Sequence, residues 1–174
     1  MPGDPKDILS GYTDSERNLV TFVCTANICR SPMAEKLLEH ALQAEGPPLS
    51  DLEVISTGVA AYHGDRASEN SVIAVEKVGL DLTGHQSQPI TQDIMDRSLA
   101  VFCMTTSHRV FLESHFKPHR SIHLIREFLP KESGNEIPDP FGQSLAAYEA
   151  CRDSIVEAIP SIVDFLKKQV DARV

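Results

Sequence analysis

Residues 19–35 read Leu-Val-Thr-Phe-Val-Cys-Thr-Ala-Asn-Ile-Cys-Arg-Ser-Pro-Met-Ala-Glu. An apolar run ends at Cys24, Arg30-Ser31-Pro32 follows, and a segment with helical periodicity begins behind it. The pattern predicts a buried strand, a tight loop and a helix start. Pro32 suits the first helical position, where its missing N–H costs nothing and its fixed φ helps. Ser31 is then the N-cap, its hydroxyl accepting from the first turn. A helix N-terminus offers unpaired N–H donors and a partial positive charge, which together make an anion site. A thiol, a guanidinium and a row of backbone amides from Thr25, Ala26, Asn27, Ile28 and Cys29 thus surround one small volume suited to a tetrahedral oxyanion. The same field is expected to lower the Cys24 pKa below the ~8.5 of a free thiol and make it a nucleophile. Arg30 suits the site better than lysine, because its planar fork can hold two phosphate oxygens at once. A cysteine that closes an apolar strand is otherwise an ordinary core residue, and a bare Cys-x5-Arg spacing is a weak signal. The helix start behind it strengthens the reading.

Outward from this string, the 174 residues fit a single domain large enough for a real core. A net charge of −9 argues against a general nucleic-acid binder. No apolar stretch approaches the ~20 residues that span a bilayer. Residues 1–17 are polar and lack the apolar region of a secretory signal. They read as a flexible or accessory segment before a domain at 18–174, and the expected location is the cytoplasm. The four cysteines, Cys24, Cys29, Cys103 and Cys151, show neither a disulfide framework nor a metal-ligand spacing. His115, His119 and His123 recur every four residues, but Pro118 between the first two argues against one helix face. They read as a solvated turn, and no metal site is expected.

Strands and helices alternate along the chain. Strands are predicted at Leu19–Val23, Glu53–Ser56, Leu99–Met104 and Ser121–Ile125. Helices are predicted from Pro32 to Ala44, from a Ser68 cap to Lys77, from Thr91 to Asp96 and from Thr106 or Ser107 to about Phe116. A last helix starts near Ser144, with Pro160 expected to kink or divide it. Short parallel strands joined by helices mean a doubly wound α/β sheet, whose ligands bind beyond the carboxyl ends of the strands. Cys24 lies at such an end.

The whole string Cys24 to Glu35 resembles the signature of the low-molecular-weight protein tyrosine phosphatases, in which Cys-x-x-Asn-x-Cys-Arg-Ser-Pro runs into Met-Ala-Glu. The resemblance covers nearly the whole chain from Leu19 onward. It implies a single-domain, four-stranded parallel sheet flanked by helices, with the phosphate-binding loop after the first strand. It also implies a metal-free, cofactor-free phosphatase acting through a cysteinyl-phosphate on a phosphorylated protein or peptide, with a monomer favoured. Attack on a phosphoester needs a proton for the leaving oxygen. Asp139, held between prolines in Ile137-Pro-Asp-Pro-Phe-Gly142, can be aimed by its stiff loop, although most such aspartates only bond their own backbone. The resemblance places the general acid there, since the family carries an Asp-Pro-aromatic loop shortly before its last helix. Many members have Tyr where this chain has Phe141.

Further positions carry over from the family. Asn27 is expected to lock the loop, with Ser56 and His85 joining Asn27 and Ser31 in one polar network. Ser31 is expected to hydrogen-bond the Cys24 sulfur. Tyr62 and Phe141 are expected to wall the cleft together with Ile28. Gln88 replaces a frequent Arg, and Thr105 a frequent Asp. A bacterial branch of the family hydrolyses phosphoarginine, and the Asp-Pro-Phe-Gly loop resembles it. That branch typically has Thr before the second loop cysteine, whereas Ile28 is the residue of the tyrosine-specific members, so phosphotyrosine is the expected substrate. The same loop also admits arsenate reduction, which needs two further cysteines close together, or a phosphate-binding module without catalysis. Cys29, five residues from Cys24, either packs behind the loop or forms a reversible disulfide with Cys24 under peroxide.

Overall fold

The computed structural model describes residues 11–173. Strands β1 (Leu19–Cys24), β2 (Glu53–Gly58), β3 (Ser98–Cys103) and β4 (Ile122–Leu124) form one sheet. Its order is β2-β1-β3-β4, and every pairing is parallel. The helices are α1 (Arg30–Glu45), α2 (Glu69–Glu76), α3 (Gln92–Arg97), α4 (Thr106–His115) and α5 (Leu145–Asp171).

Both inner strands are buried along their whole length, as parallel strands covered on both faces must be. Successive side chains alternate between faces. Val20 and Phe22 of β1 and Phe102 of β3 join Met33 and Leu38 of α1 and Ile155 and Ile162 of α5. Val23, Val101 and Cys103 join Ile94 and Met95 of α3 and Leu112 of α4 on the other face. Phe22 and Phe102 are fully buried, their ring centres 5.8 Å apart across the β1–β3 pair. Each such ring contributes about 1.5–3 kcal/mol through burial. The polar residues within the sheet are satisfied: Thr21 and Ser98 share a 2.7 Å hydrogen bond, and the Ser98 hydroxyl reaches the Ile94 carbonyl at 2.6 Å.

Strand order reverses between β1 and β3, which makes the carboxyl end of β1 the topological switch point. Cys24 is the last residue of β1, so the fold sets the sequence-predicted nucleophile where doubly wound sheets bind ligands.

The strands and helices occur where the alternation predicts, with ends shifted by a residue or two. Pro160 does not divide the last helix, which runs unbroken from Leu145 to Asp171. Pro160 faces solvent, and Val156, whose carbonyl loses its donor, is 43% exposed, so water can satisfy that carbonyl. Buried Ile155, Ile159, Ile162 and Leu166 hold the helix to the core on both sides of the proline. The three histidines do not share a turn. His115 ends α4, His119 is half-buried against the Ser98 carbonyl, and His123 lies in β4. Among the described residues no cluster could hold a metal ion, and no helix is long and apolar enough to cross a membrane. Of the accessory segment expected at 1–17, residues 1–10 lie outside the described residues. Asp14–Glu16 forms a 3-10 turn closed by Glu16 Oε2, which accepts from the Thr13 amide at 2.8 Å.

Candidate active site

Helix α1 begins at Arg30, two residues earlier than the proline rule predicts, with Cys29 as its N-cap. Pro32 is tolerated because it still falls in the first turn, where amides lack intrahelical partners. Ser31 is therefore not the cap. It is fully buried and turned inward, its Oγ 2.8 Å from Cys24 Sγ and 3.1 Å from the Thr57 carbonyl, to which it donates. The expected contact between Ser31 and the Cys24 sulfur is present.

Asn27 fixes the loop between β1 and α1. Its φ of 58° lies in the left-handed region, which Asn tolerates better than most residues. Its Nδ2 donates to Ser31 Oγ at 2.8 Å, and its Oδ1 accepts from the Gln88 amide at 2.9 Å. The Asn27 carbonyl lies 2.7 Å from His85 Nε2. His85 thus joins Asn27 as expected, and Gln88, standing where the family often has Arg, takes part through its backbone. Ser56 joins through its backbone, its carbonyl accepting from Gln88 Nε2 at 3.1 Å, while its side chain turns elsewhere. Its hydroxyl donates to Glu35 Oε2 at 2.9 Å, and His85 Nδ1 lies 3.9 Å from the same oxygen. The carbonyl of Thr57, the next residue, is the one that meets Ser31. Burial raises the Glu35 pKa against the Ser56 hydrogen bond. At the end of β2, a Cβ on Gly58 would lie 2.4 Å from the Thr25 carbonyl oxygen and 3.0 Å from the Asn27 amide nitrogen. Strand and loop touch there backbone to backbone.

Arg30 is 4% exposed. Its Nη1 donates to the Ile137 carbonyl at 2.9 Å, and its Nη2 donates to Thr25 Oγ1 at 3.4 Å. Nη2 also lies 3.7 Å from Asp139 Oδ2, an ion pair that is half exposed on the Asp139 side. Ile137 is fully buried, and its amide donates to the Met104 carbonyl at the end of β3. The loop bearing Asp139 is thereby rooted beside the sheet.

Cys24, Thr25, Ala26, Ile28, Cys29, Arg30, Asp139 and Phe141 line one cavity of ≈ 220 Å³. The structure brings together the predicted thiol, guanidinium and carboxylate, with Ile28 and Phe141 as apolar walls. Tyr62 is not among the lining residues and is 78% exposed. Its loop is instead held from behind by Ser87, whose hydroxyl donates to the Tyr62 carbonyl. All four cysteines are free. Cys29 Sγ lies 3.3 Å from Ser68 Oγ and 3.4 Å from the Tyr148 hydroxyl, so it packs against the start of α2 and against α5 while also lining the cavity. Cys103 and Cys151 are both buried, and burial pushes each thiol up to about 12.

The expected lowering of the Cys24 pKa is not met. Burial pushes the Cys24 thiol up and outweighs the opposing pull of the Ser31 hydroxyl, the Ser31 amide, Arg30 and the Asn27 amide. The sequence shows those stabilising groups but not that Cys24 is 2% exposed.

His108 is a site residue that the sequence does not reveal. It lies in the first turn of α4, 5% exposed, with Nε2 2.9 Å from Thr25 Oγ1 and Nδ1 3.2 Å from Thr105 Oγ1. Burial and the nearby Arg30 lower its pKa to about 4, against Asp139 and Glu136. The ring is neutral at pH 7. Thr105 in the cap position of α4 is the one sequence signal near it.

Comparison with known proteins agrees with this geometry. Residues 19–172 match the model of the family described as low molecular weight phosphotyrosine protein phosphatase. A protein-arginine-phosphatase of Bacillus subtilis is 33% identical over 150 residues, covering 86% of this chain and 97% of that protein. A solved YwlE arginine phosphatase, in which serine replaces the active-site cysteine and is phosphorylated, superposes with a TM-score of 0.78 at 32% identity. It covers 86% of this chain and 96% of its own. A low molecular weight protein tyrosine phosphatase from T. tengcongensis superposes with a TM-score of 0.75 at 29% identity, over 84% of this chain and 97% of its own. Fold, loop and matched length coincide, and the chain belongs to the low-molecular-weight phosphotyrosine protein phosphatase family.

Proposed function

We propose that this protein hydrolyses phosphotyrosine in proteins or peptides through a cysteinyl-phosphate. The carrying observation is the convergence of Cys24, Arg30 and Asp139 on one cavity at the N-terminus of α1. In this reading the phosphoryl group enters the loop, and Arg30 with the loop amides holds its equatorial oxygens. The buried thiol must first lose its proton, which passes to a phosphoryl oxygen of the entering substrate. The Ser31 hydroxyl, its proton turning from the Thr57 carbonyl to the sulfur, joins the Ser31 and Asn27 amides and Arg30 in stabilising the resulting thiolate. Sulfur attacks phosphorus, the bond to the leaving oxygen breaks, and protonated Asp139 delivers its proton to that oxygen. Ionised Asp139 then takes a proton from the water that cleaves the S–P bond, returning Cys24 as the leaving thiolate. The phosphorylated serine in the YwlE variant supports a covalent step for that relative.

Ile28 and Phe141 support an aromatic substrate, because a phenyl ring between two apolar walls leaves no polar group unpaired. A phosphoarginine substrate is the second reading, favoured by the arginine phosphatases among the relatives. Purified protein offered matched phosphotyrosine and phosphoarginine peptides separates the two. We expect kcat/KM to favour phosphotyrosine, and a clear preference for phosphoarginine would overturn that choice while keeping the mechanism. The expected cytoplasmic location belongs to the same proposal; fractionation of the source cells tests it.

A further inference from the structure

The first turn of α4 meets both sides of the cavity. Glu136 Oε1 accepts from the Thr106 amide at 2.8 Å, which ties the segment leading to Asp139 onto this turn. Two residues on, in the same turn, His108 reaches Thr25 on the phosphate loop. Arg30 has donors only, so its Nη2–H points at Thr25 Oγ1. With Arg30 donating, the Thr25 hydroxyl keeps its own proton for another acceptor, and His108 Nε2 lies 2.9 Å away. A neutral ring that accepts at Nε2 carries its proton on Nδ1, and Nδ1 faces Thr105 Oγ1 at 3.2 Å. Thr105 Oγ1 can accept it, since its own proton has Ser107 Oγ at 3.1 Å. This tautomer would order the donors from Arg30 through Thr25 and His108 to Thr105.

We propose that His108 is a positioning residue for Arg30. By accepting the Thr25 hydroxyl proton at Nε2, it turns the Thr25 lone pairs toward the guanidinium and fixes the arm of Arg30 that meets the phosphoryl oxygens. This rests on the phosphatase reading of the cavity. The charged groups facing the ring are Arg30 from α1 and Asp139 and Glu136 from the acid loop. A proton placed on Nε2 would turn that atom from acceptor to donor, reverse the contact and set a second positive charge beside Arg30.

The test uses the full chain and two readouts that do not depend on turnover. In wild-type protein at pH 7, long-range nitrogen–proton NMR of the His108 ring is expected to show a protonated Nδ1 and a bare Nε2. The opposite tautomer overturns the proposal. Calorimetric binding of inorganic phosphate is the second readout. Thr25→Val and His108→Phe are each expected to weaken it by about tenfold. The double variant should bind no more weakly than either single, and Thr25→Ser should recover wild-type affinity. Losses that multiply in the double variant, or a Thr25→Val protein that binds phosphate like wild type, overturn the proposal. A residue that only supports the fold would lower Tm without this non-additivity. If His108→Phe does not fold, the Thr25 pair and the ring tautomer still decide. Failure of wild-type protein to turn over any phosphopeptide would remove the phosphatase reading, and the tautomer and phosphate binding would be judged separately.

Discussion

The phosphate loop and the acid loop face one another across the same cavity, yet they are held by opposite means. The phosphate loop is buried at Cys24, Asn27, Cys29, Arg30 and Ser31 and tied to β2 and to the 85–88 segment by Asn27, Ser31 and His85. The acid loop is buried at Ile137, its root, and at Pro140. Asp139 itself is exposed, accepts from the Phe141 amide at 3.1 Å and otherwise faces Arg30. In the proposed mechanism the contrast separates two tasks. Donors aimed at a phosphoryl group must be in place before charge develops, because reorientation during reaction would cost free energy. A proton donor must instead meet leaving groups of different shape, and a short exposed loop on a buried root allows that.

Three changes would break or sharpen this contrast. Asp139→Asn is expected to have the largest effect, lowering kcat on a phosphotyrosine peptide by about 10²–10⁴-fold with Tm unchanged. A paired measurement of phosphate release and thermal unfolding checks it; a fall in Tm alongside kcat would mean that the acid loop also supports the fold. Asn27→Ala should lower both stability and activity. It leaves alanine at a φ of 58° and removes two side-chain hydrogen bonds. The expected loss is about 2–3 kcal/mol in chemical denaturation. Stability equal to wild type would show that strand packing alone shapes the loop.

The smallest effect concerns the α4 turn that serves both loops. The His108 pKa is depressed from 6.5 to about 4 in the folded protein. Between those values the unfolded chain binds a proton that the native ring does not, so stability falls as pH drops through the window. From pH 7 to about 5.5 the loss from this ring is about 1 kcal/mol. Burial lowers the His119 pKa as well, which adds to the loss in the same direction. Urea midpoints at the two pH values should converge in His108→Gln relative to wild type; equal slopes would mean that the folded ring is not held neutral.

Much of this was legible from the string around Cys24, since strand, loop and helix are contiguous and the apolar run is unambiguous. Asp139 was legible as a stiff turn, but its proposed role came only from the family likeness, because nothing local distinguishes it from other Asp-Pro turns. Three features lay beyond the sequence for physical reasons. The contact between His108 and Thr25 spans 83 residues and exists only after the sheet forms. The inward turn of Ser31 follows from a helix that starts at Arg30, where Cys29 offers no side-chain cap that a sequence rule would recognise. The direction of the Cys24 shift depends on the depth of burial, whereas local sequence shows only the groups that oppose it. Tyr62 and Ser56 stand at family positions, but the Tyr62 side chain goes to solvent, and Ser56 meets the Asn27 group through its carbonyl while its hydroxyl goes to Glu35.

Gly58 sets a limit on how far this chain can vary. Its missing side chain is the clearance between the last residue of β2 and the Thr25 carbonyl. A saturation library at that position should therefore return glycine alone among active clones. Position 62, open to solvent at 78% exposure, should accept nearly any residue. The boundary between intolerant and permissive sequence would then run within a few residues of the same cavity, drawn by a single hydrogen atom's worth of space.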